Sequence, residues 1–174
     1  MISNILYHLF RYFLLALVQV WVINNIELHG IFHPQIYPLF VLSLPLNTPP
    51  LAVLLIGFAA GLGVDLMMHT GALHASALLV TALLRPYILH LLRPAGGYQP
   101  EDRPTVSAMG FLWFFVYAAI LLLVHHTWLF IIETLSFRQM FFVLGKILLS
   151  TLSALAIALM LQYLFFSRRK PLPV

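Results

Sequence analysis

Asp65 and Lys146 stand out in this chain because each is an ionisable residue deep in a long apolar run. A charge at such a depth is costly and is normally kept where it meets a partner or a cavity. Each also belongs to a spaced series. Gly57, Gly61 and Asp65 are four apart and therefore share one helix face. Gly-x-x-x-Gly strips that face of side chains and lets two helix backbones approach closely. Lys146, Ser150, Ala154 and Ala158 repeat the spacing as a small-residue stripe with a charge at one end. The matching stripes predict antiparallel packing of the two helices, with the two charges only about 5 Å apart in depth. Asp65 and Lys146 are then expected to pair directly or through water. Two simpler readings compete: Lys146 extends along its own stem toward the surface, and Asp65 caps or pairs with His69 one turn on. Arg85, followed by Pro86, is expected to reach the inner headgroups, with a place inside the bundle as the alternative.

Other reactive types are scattered. The eight histidines are His8, His29, His33, His69, His74, His90, His125 and His126. His29/His33 and His69/His74 are candidate metal pairs, but neither has a third ligand at a suitable spacing, so the histidines read as interfacial, with no metal and no cofactor. H-E-x-x-H, G-x-S-x-G and the phosphate-cradling G-x-x-x-x-G-K-[ST] do not occur. Glu27, Glu101, Asp102 and Glu133 fall in loops on different sides, which leaves Asp65 without a second carboxylate at its depth. The expected function is therefore not enzymatic. Cysteine is absent, which excludes disulfides, thiolate ligands and a cysteine nucleophile.

The elements that position these residues follow from composition. Of 174 residues, 62% are hydrophobic and 8% charged, against about 45–50% and about 25% in soluble domains. That balance excludes a disordered chain, a coiled coil and an ordinary soluble enzyme. It points to a single polytopic membrane domain over residues 1–174, an all-α bundle with lipid as its main solvent. Apolar runs long enough to span lie at 9–26, 51–68, 72–92, 106–124 and 137–166. A sixth, at 31–46, is punctuated by Pro34, Pro38 and Pro45 and reads as a short or broken span. The six-span count places both termini in the cytoplasm. Arg93, Arg103, Arg168, Arg169 and Lys170 then lie inside, Arg85 points toward that side, and Arg138 is outside, as the positive-inside rule requires. The net charge of +4 is thereby accounted for beside spans, not in a patch that would bind nucleic acid. The N-terminal run lacks the pattern of a cleaved signal and reads as a retained first helix. Most aromatics, including Trp21, Trp113 and Trp128 near span ends, read as lipid-facing or interfacial.

The stretch Gly57-Phe58-Ala59-Ala60-Gly61-Leu62-Gly63-Val64-Asp65, followed by Gly71 and His74-Ala75, resembles the MreD family of bacterial rod-shape-determining membrane proteins. The size, the proline-broken second span and the short basic tail also fit. The resemblance implies a non-enzymatic inner-membrane protein that binds the bitopic shape protein MreC. It further implies membership of the elongation complex that directs lateral peptidoglycan synthesis, with the filament protein MreB, the glycosyltransferase RodA and a transpeptidase. Gly57, Gly61 and Asp65 carry over as structural positions. The family is also similar in fold to substrate-binding subunits of vitamin importers, which makes such a subunit the main alternative. Those subunits often space alanines four apart on the first helix for docking, whereas here Ala16 is followed by Val20 and Asn24. Partner recognition is expected through helix faces, since the longest loop, 93–105, has only about a dozen residues.

Overall fold

The structure is a computed structural model, and it describes residues 2–23, 33–99, 102–135 and 139–166. All the regular structure among them is helical. The helices are α1 (Ile2–Trp21), α2 (Leu39–Leu42), α3 (Pro50–Met68), α4 (Leu73–Leu91), α5 (Val106–Met109), α6 (Phe111–Thr134) and α7 (Met140–Phe166). Helices α3, α4, α6 and α7 are long and apolar enough to cross a bilayer, and Tyr12–Trp21 of α1 is a shorter apolar helix. The chain is a multi-pass membrane protein.

Local chemistry sets the boundaries. Pro50 opens α3 at a position where a missing N–H costs nothing. The α3–α4 turn carries positive φ at His69, Gly71 and Ala72, which reverses the chain in four residues, 69–72. Thr105 Oγ1 accepts from the Ala108 N–H and caps α5. Gly110, at φ 88° and ψ 160°, then redirects the chain into α6 in a backbone region essentially closed to other residues. The apolar run 106–124 predicts an end at 124, yet α6 continues to Thr134. His125 and His126, which look like a polar end in sequence, are fully buried in its middle.

The long helices form a chain of neighbours: α3 packs along α4, α4 along α6, and α6 along α7, with α1 against α3. This corrects the expected α3–α7 stripe-to-stripe packing. The 31–46 run, described from residue 33, is extended, turns at residues 37–38, and makes only the four-residue α2. It is the centre of the bundle. Ile36, Leu39, Leu42 and Leu46 pack with Phe114, Tyr117, Leu121 and Leu122 of α6 and Ala154, Leu155 and Ala158 of α7. Tyr37, Phe40, Val41 and Leu44 join Ala16 of α1, Val53, Ala60 and Val64 of α3, and Leu78 and Ala82 of α4. One short segment therefore contributes to both main cores. The outer faces are apolar, as lipid contact demands: Leu51, Leu55, Phe58, Leu62 and Leu66 of α3 and Leu148 and Leu152 of α7 are exposed.

Candidate functional site

A non-helical backbone at membrane depth leaves N–H and C=O groups that lipid cannot satisfy, and each unpaired group costs several kcal/mol or about that. Segment 33–46 meets this demand with side chains from the surrounding helices. Gln19 of α1 uses both ends of its amide: Nε2 donates to the Pro34 carbonyl at 3.2 Å and Oε1 accepts from the Ile36 N–H at 2.6 Å. Ser150 Oγ of α7 accepts from the His33 N–H at 3.1 Å. His126 Nε2 accepts from the Gln35 N–H at 3.2 Å. At the far end, Tyr117 OH donates to the Leu42 carbonyl at 2.8 Å. Arg85 Nη2 donates to the carbonyls of Leu44, at 2.5 Å, and Pro45, at 3.2 Å, while its Nε donates to Tyr117 at 2.8 Å. His126 and Tyr117 lie about 14 Å apart along α6 at the helical rise, so the stitching follows the bundle axis.

The partners fix the proton positions. Because His126 Nε2 accepts from a backbone N–H, the neutral ring carries its proton on Nδ1, which donates to the Leu122 carbonyl at 2.8 Å. Thr81 donates to the Ala77 carbonyl at 2.8 Å and so accepts from His125 Nδ1 at 3.2 Å. His125 Nε2 then accepts from Tyr37 OH at 2.7 Å, and Tyr37 accepts from His74 Nδ1 at 2.8 Å. The result is a directed row, His74 to Tyr37 to His125 to Thr81, that ties α4 and α6 to the central segment. Its members are all buried. They are therefore not the interfacial histidines expected from sequence. Three or more metal-ligating side chains do not cluster anywhere among the described residues.

Asp65 and Lys146 belong to different parts of the molecule. Asp65 is 4% exposed. Its Oδ1 accepts from Thr70 Oγ1 at 2.6 Å and from the His74 N–H at 3.0 Å, and its Oδ2 accepts from the Ala75 N–H at 2.7 Å. It caps α4 from the preceding helix, a role that Ala72 at the N-cap position has no side chain to fill. The positive end of the α4 dipole adds to the stabilisation of the carboxylate. Lys146 Nζ pairs instead with Glu133 at 2.8 Å and lies 4.4 Å from the centre of the Phe130 ring. The expected Asp65–Lys146 pair is thus overturned. A helix N-terminus nearby satisfies an acid better than a distant amine, and α7 faces α6, which brings its own acid. The capping alternative for Asp65 describes the structure, with backbone N–H groups in place of His69.

The glycine stripe is a close contact, but against α4. A Cβ on Gly61 would lie 2.4 Å from the Ala75 Cα and 2.7 Å from the His74 carbonyl oxygen. On Gly57 it would lie 3.1 Å from the Ala82 Cβ. Ser150, Ala154 and Ala158 are buried as expected for a packing stripe, and they face the central segment and α6. Arg85 does not reach the headgroups: it is 1% exposed, held by Tyr117 and the carbonyls of Leu44 and Pro45. Gln19, Tyr37, Thr81 and Tyr117 belong to no motif or spaced series, so residue type and spacing do not single them out. A polar signal for Gln19 and Thr81 was present, since each interrupts an apolar run. His29, Glu27, Glu101, Arg138, Arg168, Arg169 and Lys170 lie outside the described residues. No family model, curated protein or solved structure matches the chain.

Proposed function

We propose that this chain is a non-enzymatic scaffold of the MreD type in the bacterial inner membrane. It binds an MreC-like bitopic partner and helps direct lateral peptidoglycan synthesis and maintain cell shape, alongside RodA, a transpeptidase and MreB. In this reading α1 and segment 33–46 complete six crossings and both termini are cytoplasmic. The observation that carries the reading is the interior itself. The middle of the bundle is taken up by Tyr37, His74, His125 and the buried backbone of segment 33–46. A scaffold needs such a rigid centre and outer helix faces for other spans to pack against, whereas an importer subunit would have to hold its ligand in one of the cavities of about 350 Å³ beside that centre, lined by Leu39, Leu42, Phe114 and Ala158 or by Thr48, Arg85 and His90. The glycine contact and the Asp65 cap support the resemblance as structural features of that rigid body.

The test is depletion in the native cell together with affinity capture of the tagged chain. Depletion is expected to convert rods to spheres, and capture is expected to recover a single-span protein with an extracytoplasmic domain. Unchanged shape and wall growth with loss of uptake of a vitamin would establish the importer reading instead.

A further inference from the structure

A cavity of about 350 Å³ opens where α4 ends and α3 begins, and its lining includes Asn47, Thr48, Arg85, His90, Arg93 and Tyr98. Its deepest charge is Arg85. Of the five N–H donors of a guanidinium, the one on Nε and those on Nη2 are engaged by Tyr117 and the Leu44 and Pro45 carbonyls. These acceptors are all neutral. Nη1 makes no hydrogen bond among the described residues, although the side chain as a whole is 1% exposed. A guanidinium held only by neutral groups has no counter-ion among the described residues, and its charge favours an anion in the adjoining cavity. The described carboxylates are committed elsewhere: Asp65 to the α4 N-terminus, Glu133 to Lys146, and Asp102 to the Gln99 N–H within its own loop.

The rim adds to this attraction. Arg93 and His90 are exposed and border the same cavity. Arg93 is folded over the turn that follows α4: Gly97 has φ 76°, and a Cβ there would lie 3.0 Å from Arg93 Nη2. Tyr98, anchored by its hydroxyl to the Leu89 carbonyl at 2.7 Å, closes one side. Leu46, Val53 and Leu89 supply an apolar wall. A deep guanidinium, a second guanidinium at the rim and an apolar wall, placed at the end of spanning helices, match a phosphate ester with hydrocarbon attached.

We propose that this cavity binds a phosphate-bearing anion, with Arg85 at its base and Arg93 and His90 at its mouth. The phosphate comes from an anionic lipid headgroup or from a free phosphate ester. The site is separate from the outer helix faces invoked for protein partners.

The experiment uses the full chain in nanodiscs of phosphatidylcholine and reads thermal midpoint and ligand retention by native mass spectrometry. Phosphatidylglycerol and free glycerol 3-phosphate are added separately. A rise in midpoint with the lipid alone identifies a headgroup site, and an equal rise with glycerol 3-phosphate identifies a site for free phosphate esters. In either case the double variant His90→Gln/Arg93→Gln is expected to bind roughly tenfold more weakly. Arg103→Gln, outside the lining, is expected to bind as the native chain does. Both variants leave Arg85 and its buried contacts in place, so folding is not at stake. No response to either ligand, or an equal response in the native chain and the rim variant, would overturn the proposal.

Discussion

Two antiparallel helix pairs, α3–α4 and α6–α7, are joined in opposite ways. In α3–α4 the backbones touch: Gly61 leaves no room for even one carbon against Ala75 and His74, and Asp65 reaches across to cap the partner helix. In α6–α7 the contact runs through side chains, with the Lys146–Glu133 pair at one end and Ala154 and Ala158 packed against larger residues further along. Gly145 of α7 has nothing within 4 Å of the place its Cβ would occupy. The same four-residue spacing of small residues therefore has two meanings. On α3 it permits backbone contact. On α7 it makes room for the buried segment 33–46, whose His33 N–H is bound by Ser150. The two ions differ in the same manner. A buried carboxylate with three donors and a helix dipole is part of the fold, whereas the ion pair of an 11% exposed lysine with a 45% exposed acid is worth about 1 kcal/mol.

Substitutions can break or sharpen this contrast. Gly61→Leu forces side-chain atoms into the α4 backbone, beyond the about 1–3 kcal/mol of ordinary overpacking, and is expected to abolish folded protein in detergent, read by size-exclusion recovery. Asp65→Ala leaves the His74 and Ala75 N–H groups without their acceptor and is expected to cost roughly 2–5 kcal/mol, read as a fall in thermal midpoint. The exchange Asp65→Lys/Lys146→Asp is expected to be no more stable than Asp65→Lys alone, and recovery by the exchange would restore the abandoned pairing. Lys146→Met loses the Glu133 pair and the Phe130 contact of a side chain that is only 11% exposed and is expected to cost about 1–2 kcal/mol. Gly145→Ala, with open space around its Cβ, is expected to leave stability unchanged or raise it by up to about 1 kcal/mol, whereas Gly57→Ala, facing Ala82 at 3.1 Å, is expected to lower it.

Much of this was legible in the sequence. Apolar runs gave the spanning helices to within a few residues at most ends, because hydropathy and length are one-dimensional. The Gly57–Gly61–Asp65 face was legible as a close contact for the same reason. The partner helix was not, since four-residue spacing carries no information about what lies opposite. Two stripes with one charge each invited a pairing, while the nearer donors for Asp65 were backbone N–H groups that no residue letter displays. His125 and His126 looked like a helix end because polarity is costly in lipid, and only their acceptors and donors, Tyr37, Thr81 and the Gln35 backbone, explain their burial. The prolines of 31–46 announced a break in regular structure, and from residue 33 the run forms only the four-residue α2. Its place at the centre follows from a need the sequence does not show, that its unpaired backbone be surrounded by Gln19, Arg85, Tyr117, His126 and Ser150.

The central claim, that segment 33–46 forms the core and that the two ions stand apart, can be tested by disulfide trapping, since the native chain has no cysteine. Oxidation of membranes carrying His33→Cys/Ser150→Cys is compared with oxidation of membranes carrying Asp65→Cys/Lys146→Cys, with mobility on non-reducing gels as the readout. A cross-link is expected between positions 33 and 150, where the His33 N–H meets Ser150 Oγ at 3.1 Å, and none between 65 and 146. A cross-link between 65 and 146 with none between 33 and 150 would contradict the claim.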